Sequence, residues 1–97
     1  MSTPNTITCT LCSSPARLVA TPNFGHYSAI GCATCGEFVV SGAAAARIGG
    51  LPAEFKDRWR SMIRSAQPNE ILLIIVEPVG TGGGLKEELV LRSTLRL

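Results

Sequence analysis

The sequence has little of what membrane-inserted and secreted chains usually contain. Its longest apolar run is Ile71–Val76, about a third of the roughly 18 residues that a membrane-spanning helix needs. Residues 1–9 have neither the basic start nor the apolar run of a secretory signal. Charged residues make up only 16% of the 97 residues, and 45% are hydrophobic. We therefore expect one soluble, cytoplasmic domain that makes no contact with membranes.

The sequence also lacks recognisable catalytic motifs. The single histidine, His26, has no partner motif around it, and neither Ser41 nor Ser61 has an identifiable base. The glycine-rich segment 80–84 lacks the Gly-Lys-Ser/Thr ending of a phosphate-binding P-loop. It is instead typical of a flexible connection. We therefore expect a protein without enzymatic activity.

All four cysteines lie in two Cys-x-x-Cys pairs, Cys9–Cys12 and Cys32–Cys35, with 19 residues between the pairs. Each pair forms a tight turn, here called a knuckle, that presents two sulfur atoms. Two knuckles together supply the four thiolates that Zn²⁺ binds tetrahedrally at about 2.3 Å. Because cytosolic thiols stay reduced, this spacing favours a structural zinc ion bound by Cys9, Cys12, Cys32 and Cys35 over two disulfides or four free thiols.

The residue after each knuckle predicts a difference between the two turns. Gly36 follows Cys35, at a position where the chain commonly needs a positive φ that glycine adopts at little cost. Ser13 takes the same place after Cys12 and tolerates that conformation less well. We expect the first knuckle to be strained or differently shaped.

Two knuckles joined by a short β excursion resemble a zinc ribbon. The stretch CATCGEFVVSGAAAARI, residues 32–48, is similar to the start of small bacterial and phage zinc-ribbon proteins, in which a Cys-x-x-Cys-Gly turn precedes hydrophobic residues and a helix. The resemblance covers about residues 5–50. It implies the ribbon fold and a bound metal, but zinc ribbons serve many functions.

The resemblance implies an N-terminal four-cysteine zinc ribbon, and the hydrophobic pattern predicts two helices and a C-terminal β pair after it. Together they give an α+β fold within a single domain over residues 1–97. The ribbon is expected at residues 5–40. The helical segment, 41–67, has Ser41 as the N-cap of a short helix and a second helix over Leu51–Gln67. In the β-rich tail, 70–97, the apolar run Ile71–Val76 predicts a strand buried on both faces. Residues 85–97 fit a strand or a helix, and their alternation favours a strand beside Ile71–Val76.

The second predicted helix is amphipathic. Apolar side chains recur at helical spacing and predict one buried face, formed by Phe55, Trp59, Met62, Ile63 and Ala66.

The same helix carries basic residues. Lys56, Arg60 and Arg64 are four residues apart and share a face, with Arg58 nearby. They could bind phosphates or an acidic protein surface. Alternatively they form a solvated face, since nearby acidic residues offer ordinary helix pairs.

The turn between the inner ribbon strands has an aromatic pair, Phe24 and Tyr27. An exposed aromatic there could anchor a protein partner or stack on a base. Alternatively, either ring packs on the small core. The tip lacks the adjacent acidic residues with which transcript-cleavage ribbons hold magnesium, so we do not expect that activity.

The net charge bears on the choice of partner. The formal charge is +2, but four thiolates and one Zn²⁺ together bring it to about zero. We therefore expect a protein-binding adaptor or inhibitor, monomeric or homodimeric. The resemblance and the small size suggest a phage or mobile-element protein that blocks a host complex, such as a defence nuclease or RNA polymerase. The alternatives are a nucleic-acid-binding regulator that uses the basic helix and an accessory subunit of an enzyme.

Overall fold

The computed structural model describes residues 6–22, 25–76 and 84–95. They form a six-stranded sheet, two α-helices and a short 3₁₀ helix, so the predicted α+β class is confirmed. Among these residues no helix combines the length and the apolar composition needed to cross a bilayer. The elements in chain order are β1 (Thr6–Thr8), β2 (Pro15–Ala20), β3 (Tyr27–Cys32), β4 (Gly36–Ser41), α1 (Gly42–Ile48), α2 (Ala53–Ser65), β5 (Glu70–Val76), β6 (Leu85–Leu91) and the 3₁₀ helix (Arg92–Leu95).

The strands lie in the sheet in their sequence order, from β1 to β6. Strands β1 to β4 pair antiparallel, β4 pairs with β5 in parallel, and β5 pairs antiparallel with β6. The predicted description of a zinc ribbon with two helices and a C-terminal β pair is therefore wrong in part, because the strands are spread along the chain and the C-terminal pair continues the sheet of the ribbon. Parallel neighbours need a long crossover connection, and α1 and α2 provide it between β4 and β5.

The predicted strand beside Ile71–Val76 is confirmed for Leu85–Leu91. The register runs from Glu70 opposite Leu91 to Val76 opposite Leu85. After Leu91 the chain turns into the 3₁₀ helix instead of continuing the strand.

The two helices cover one face of the sheet. Ser41 is the N-cap of α1, as predicted: its Oγ accepts a hydrogen bond of 3.1 Å from the N–H of Ala44. Helix α2 is shorter than the predicted Leu51–Gln67 by two residues at each end, since it begins at Ala53, after Pro52, and ends at Ser65. The core under the helices contains the buried side chains of Phe38, Val40, Ala44, Ile48, Trp59, Ile63, Leu72 and Ile74.

The apolar face of α2 is narrower than its sequence predicts. Trp59 and Ile63 are buried, while Met62 and Ala66 are half-buried. Phe55 is 38% exposed and lies tilted against Trp59, with ring centroids 6.3 Å apart. The prediction that Phe55 is buried was therefore wrong, because its ring packs on another ring instead of entering the core.

The opposite face of the sheet carries a second apolar cluster and neither α-helix. We call it the helix-free face. Its buried members are Ala29, Val39, Ile71 and Leu73, and Leu95 of the 3₁₀ helix packs against them. Strand β5 therefore buries alternate side chains on both faces of the sheet, which confirms the prediction for Ile71–Val76.

Candidate metal centre

The fold brings the two knuckles together. Cys9 and Cys12 lie in the turn from β1 to β2, and Cys32 and Cys35 lie where β3 turns into β4. Because β2 pairs with β3, these two turns come to the same end of the sheet, with Ala16 opposite Cys32. The four Sγ atoms all lie within 4.8 Å of one another.

The distances between sulfur atoms fit a tetrahedral cation. Sγ of Cys9 lies 4.0 Å from Sγ of Cys35, and Sγ of Cys12 lies 3.5 Å from Sγ of Cys32. Four thiolates arranged tetrahedrally at about 2.3 Å from a zinc ion would be about 3.8 Å apart. A disulfide needs about 2.05 Å, and all four thiols are unbonded. The predicted ligands thus form a cluster that can hold one metal ion.

The electrostatics of the cluster also favour a cation. Burial raises the pKa of the Cys9 thiol, and burial, the Cys12 thiol and the neighbouring thiolate charges raise the pKa of Cys35. Burial acts in the same direction on Cys12, but hydrogen bonds from Ser14 and from the thiols of Cys32 and Cys35 lower its pKa to about 6. Four thiolates this close would repel one another, and a Zn²⁺ ion would remove that cost.

The residue after each knuckle has a positive φ, which was predicted for Gly36; at Ser13 it makes the first knuckle strained, one of the two outcomes expected there. Ser13 has φ 63° and Gly36 has φ 102°. In the first knuckle the N–H of Ser13 donates to the carbonyl of Cys9 at 2.9 Å, and the N–H of Cys9 donates to the carbonyl of Ser14 at 2.8 Å. These two bonds hold Ser13 in a conformation that non-glycine residues seldom adopt.

Sequence reasoning missed one residue of the site. Leu11, between the cysteines of the first knuckle, is buried in the same core cluster as Cys9, Cys32 and Cys35. A large apolar residue in a short turn that otherwise contains cysteine, threonine and serine could have indicated that this position is buried. Leu11 joins the metal centre to the core under the helices.

Two of the four predicted basic residues of α2 make ion pairs. Arg58 makes an ion pair with Glu87 of β6 and lies over the Phe55 ring, 5.6 Å from its centroid. Arg60 makes an ion pair of 3.3 Å with Asp57.

The other two basic residues differ in exposure, since Lys56 is half-buried and Arg64 is exposed.

The structure describes one of the two aromatic residues predicted at the ribbon tip. Tyr27 is half-buried and packs against the apolar cluster of the helix-free face. This placement agrees with the alternative that its ring packs on the core. Phe24 lies outside the described residues.

A hollow on the helix-free face was not predicted. It has a volume of about 250 Å³, and we call it the sheet hollow. Its residues come from β2, β3, β4, β5 and the 3₁₀ helix, so no local sequence pattern predicts it. The lining residues are Val19, Ala20, Ala29, Ile30, Glu37, Ile71 and Arg92.

Two contacts shape the rim of the sheet hollow. Arg92 makes an ion pair of 2.5 Å with Glu37 and so joins the 3₁₀ helix to β4. Val19 is 51% exposed and lies close to Gly31, where a Cβ atom would stand 3.1 Å from its Cγ2. The absence of a side chain at Gly31 therefore makes room for Val19 at the rim.

Comparison with known proteins gives no relative. No protein-family model, no curated protein and no solved structure matches the chain.

Proposed function

We propose that this chain is a non-enzymatic zinc-binding protein that acts by binding another protein. The clustered thiols support zinc as the metal, because four thiolates at these distances suit its size and tetrahedral preference. A set of four protein ligands leaves no open coordination position for a substrate. The zinc therefore has a structural role: it holds the two knuckles together.

The observation that carries protein binding is the sheet hollow. Its volume of about 250 Å³ lies below the roughly 300–1,000 Å³ of pockets for drug-sized ligands. The lining is apolar except for the Glu37–Arg92 ion pair. Such a hollow suits one apolar side chain of a partner protein, which would contact Val19 and leave its flanking polar groups beside the ion pair.

The chain would then act by occupying a surface of its partner, as an adaptor or an inhibitor. A host complex such as a defence nuclease or RNA polymerase stays a prediction of the resemblance alone.

Site-directed photo-crosslinking tests this function. A photoreactive phenylalanine derivative replaces Val19 in cells of the native host, and the matched control carries it at exposed Arg64 of α2. We expect one specific protein to be crosslinked from position 19 and not from position 64. If the crosslinked protein is a catalytic chain, the function becomes that of an accessory enzyme subunit.

Substitutions then test the contact itself. Val19→Asp puts a charge at the rim and should reduce affinity for the crosslinked partner at least tenfold. Phe55→Ser removes an exposed ring on the opposite face and should leave that affinity unchanged. If Phe55→Ser reduces binding and Val19→Asp does not, the partner binds α2 and the sheet hollow is not the site. Zinc content and circular dichroism check that each variant is folded.

The alternative of nucleic-acid binding is disfavoured by charge. Arg58 and Arg60 make ion pairs with acidic side chains, and the zinc-loaded chain is formally close to neutral. A labelled DNA or RNA titration at low salt should therefore show no binding. Binding that falls steeply with salt and is lost in Arg60→Ala/Arg64→Ala would contradict our proposal.

A further inference from the structure

Strand β6 is an edge of the sheet. It pairs with β5 on one side, and no other described strand pairs with its outer side. At seven residues, Leu85–Leu91, it is longer than the opposite edge strand, Thr6–Thr8. A long edge strand can pair with a strand of another chain through its outward N–H and carbonyl groups.

The side chains of β6 are divided between the two faces. The register places Lys86 opposite Ile75 and Glu88 opposite Leu73, so both charged residues lie on the helix-free face. Both are exposed. The intervening Glu87 lies on the face that the helices cover, where it makes the ion pair with Arg58.

Among the three registers centred on the charged residues of β6, these charges favour one for pairing with a second copy. In an antiparallel pair of identical strands, opposite residues lie on the same face. Centring the pair on Lys86 or on Glu88 places that residue opposite its own like charge at an exposed position. Centring it on Glu87 places Lys86 of each copy opposite Glu88 of the other, giving two pairs of opposite charge.

The Glu87-centred register also suits the other face. It places Leu85 of each copy opposite Leu89 of the other, and both side chains already pack against the core. The two Glu87 carboxylates meet at the centre, but each has the guanidinium of Arg58 beside it. The centre of the dimer would therefore contain two ion pairs, each formally neutral, and the repulsion between the two Glu87 carboxylates would be reduced.

We propose that the protein forms a two-fold homodimer in which the β6 strands pair antiparallel about Glu87 and join two six-stranded sheets into one. This pairing is independent of the sheet hollow and of the proposed partner.

The test uses charge reversal and measures dimer dissociation by sedimentation equilibrium and light scattering. Lys86→Glu places a second carboxylate opposite Glu88, and Glu88→Lys places a second ammonium group opposite Lys86. Each single variant should therefore raise the dissociation constant roughly tenfold to hundredfold. The double variant exchanges the two charges and should restore the dimer.

Mixing the two single variants gives the sharpest outcome. In a mixed dimer, both pairs join a glutamate of one chain to a lysine of the other, so the variants should associate with each other more tightly than with themselves. Matched controls reverse exposed charges away from β6, at Arg17→Glu and Glu54→Lys. They should leave the dissociation constant unchanged.

Three results would overturn the dimer. The first is a wild-type chain that stays monomeric at several hundred micromolar. The second is a dimer that all β6 variants leave intact, or that the control variants weaken equally. The third is a mixture of Lys86→Glu and Glu88→Lys that does not associate although each variant alone is monomeric. Zinc content is measured for every variant to confirm that it is folded. Since the sheet hollow contains no residue of β6, a failure of the dimer is distinguishable from a failure of the proposed function.

Discussion

Gly36 lies directly against Ile63, since a Cβ atom at Gly36 would stand 2.7 Å from Cγ2 of Ile63. Gly36 follows the last cysteine of the second knuckle, and Ile63 belongs to the buried face of α2. The second knuckle and the helical layer are therefore in direct contact, with no side chain between them.

This contact predicts that Gly36→Ala destabilises the fold. The new methyl group would overlap Ile63, and alanine would be strained at φ 102°. We expect the free energy of unfolding of the zinc-loaded protein to fall by about 2–4 kcal/mol. Urea denaturation followed by Trp59 fluorescence measures it. Gly42→Ala is the control, because its added Cβ would meet no atom within 4 Å apart from its chain neighbours and the backbone of its own helix. A loss as large as that of Gly36→Ala would refute the explanation.

Loss of one zinc ligand should unfold the metal centre. Cys35→Ser removes a buried ligand, and zinc binding supplies roughly 10 kcal/mol or more of folding free energy in small zinc domains. We expect less than stoichiometric zinc by elemental analysis and a red shift in the emission of Trp59, the single tryptophan. Thr34→Ala, an exposed change within the same knuckle, should keep one zinc per chain. A native emission spectrum in Cys35→Ser would show that the metal is dispensable.

Zinc affinity should rise with pH. In the metal-free protein the raised pKa values of Cys9 and Cys35 favour the neutral thiols, which stabilises that fold at neutral pH, and this contribution is lost as the pH rises above the ordinary thiol pKa of 9.0. Cys12 has the opposite shift, to about 6, which favours its thiolate above that pH. Zinc must therefore displace at least the protons of Cys9 and Cys35 near pH 7, and its affinity should rise at least about 100-fold per pH unit.

Competition with a chromogenic chelator between pH 6 and pH 8, corrected for the protonation of the chelator, measures this dependence. A pH indicator in weak buffer should record the same protons as they are released. Affinity that does not change with pH would mean that the thiols are already ionised before the metal binds.

The ion pair between Arg58 and Glu87 should contribute little stability. Its side chains are 55% and 18% exposed, and exposed pairs contribute about 0.2–1 kcal/mol. A double-mutant cycle with Arg58→Ala and Glu87→Ala should give a coupling energy in that range, decreasing with salt. Arg60→Ala with Asp57→Ala provides the matched pair within one helix. A coupling above about 2 kcal/mol would show that the pair is effectively desolvated.

Local features were predictable where neighbouring residues determine them. Ser41 stands one residue before a run of alanines, at a position where a serine side chain favours the N-cap of a helix. The positive φ after each knuckle follows from the tight turn between paired cysteines, even where serine occupies the position. The strand Ile71–Val76 was predictable because consecutive apolar residues need cover on both faces.

Other features depended on distant residues. Phe55 fits the apolar periodicity of α2. Whether a side chain at that position is buried depends on how far the sheet extends under the helix, and Phe55 stays 38% exposed. The parallel pairing of Phe38 with Leu72 joins positions separated by two helices, and no local pattern encodes that choice. For the same reason the sheet hollow could not be predicted, since its residues come from five separate elements.

The sequence by itself determined the set of four cysteines that could hold a metal, the α+β composition and the start of α1, because spacing and periodicity act over a few residues. Only the tertiary structure decided that ribbon and tail share one sheet, that β6 is its edge, and that Arg58 of α2 makes an ion pair with Glu87 of β6. Those outcomes depend on which distant surfaces bury each other, and burial is a property of the assembled chain.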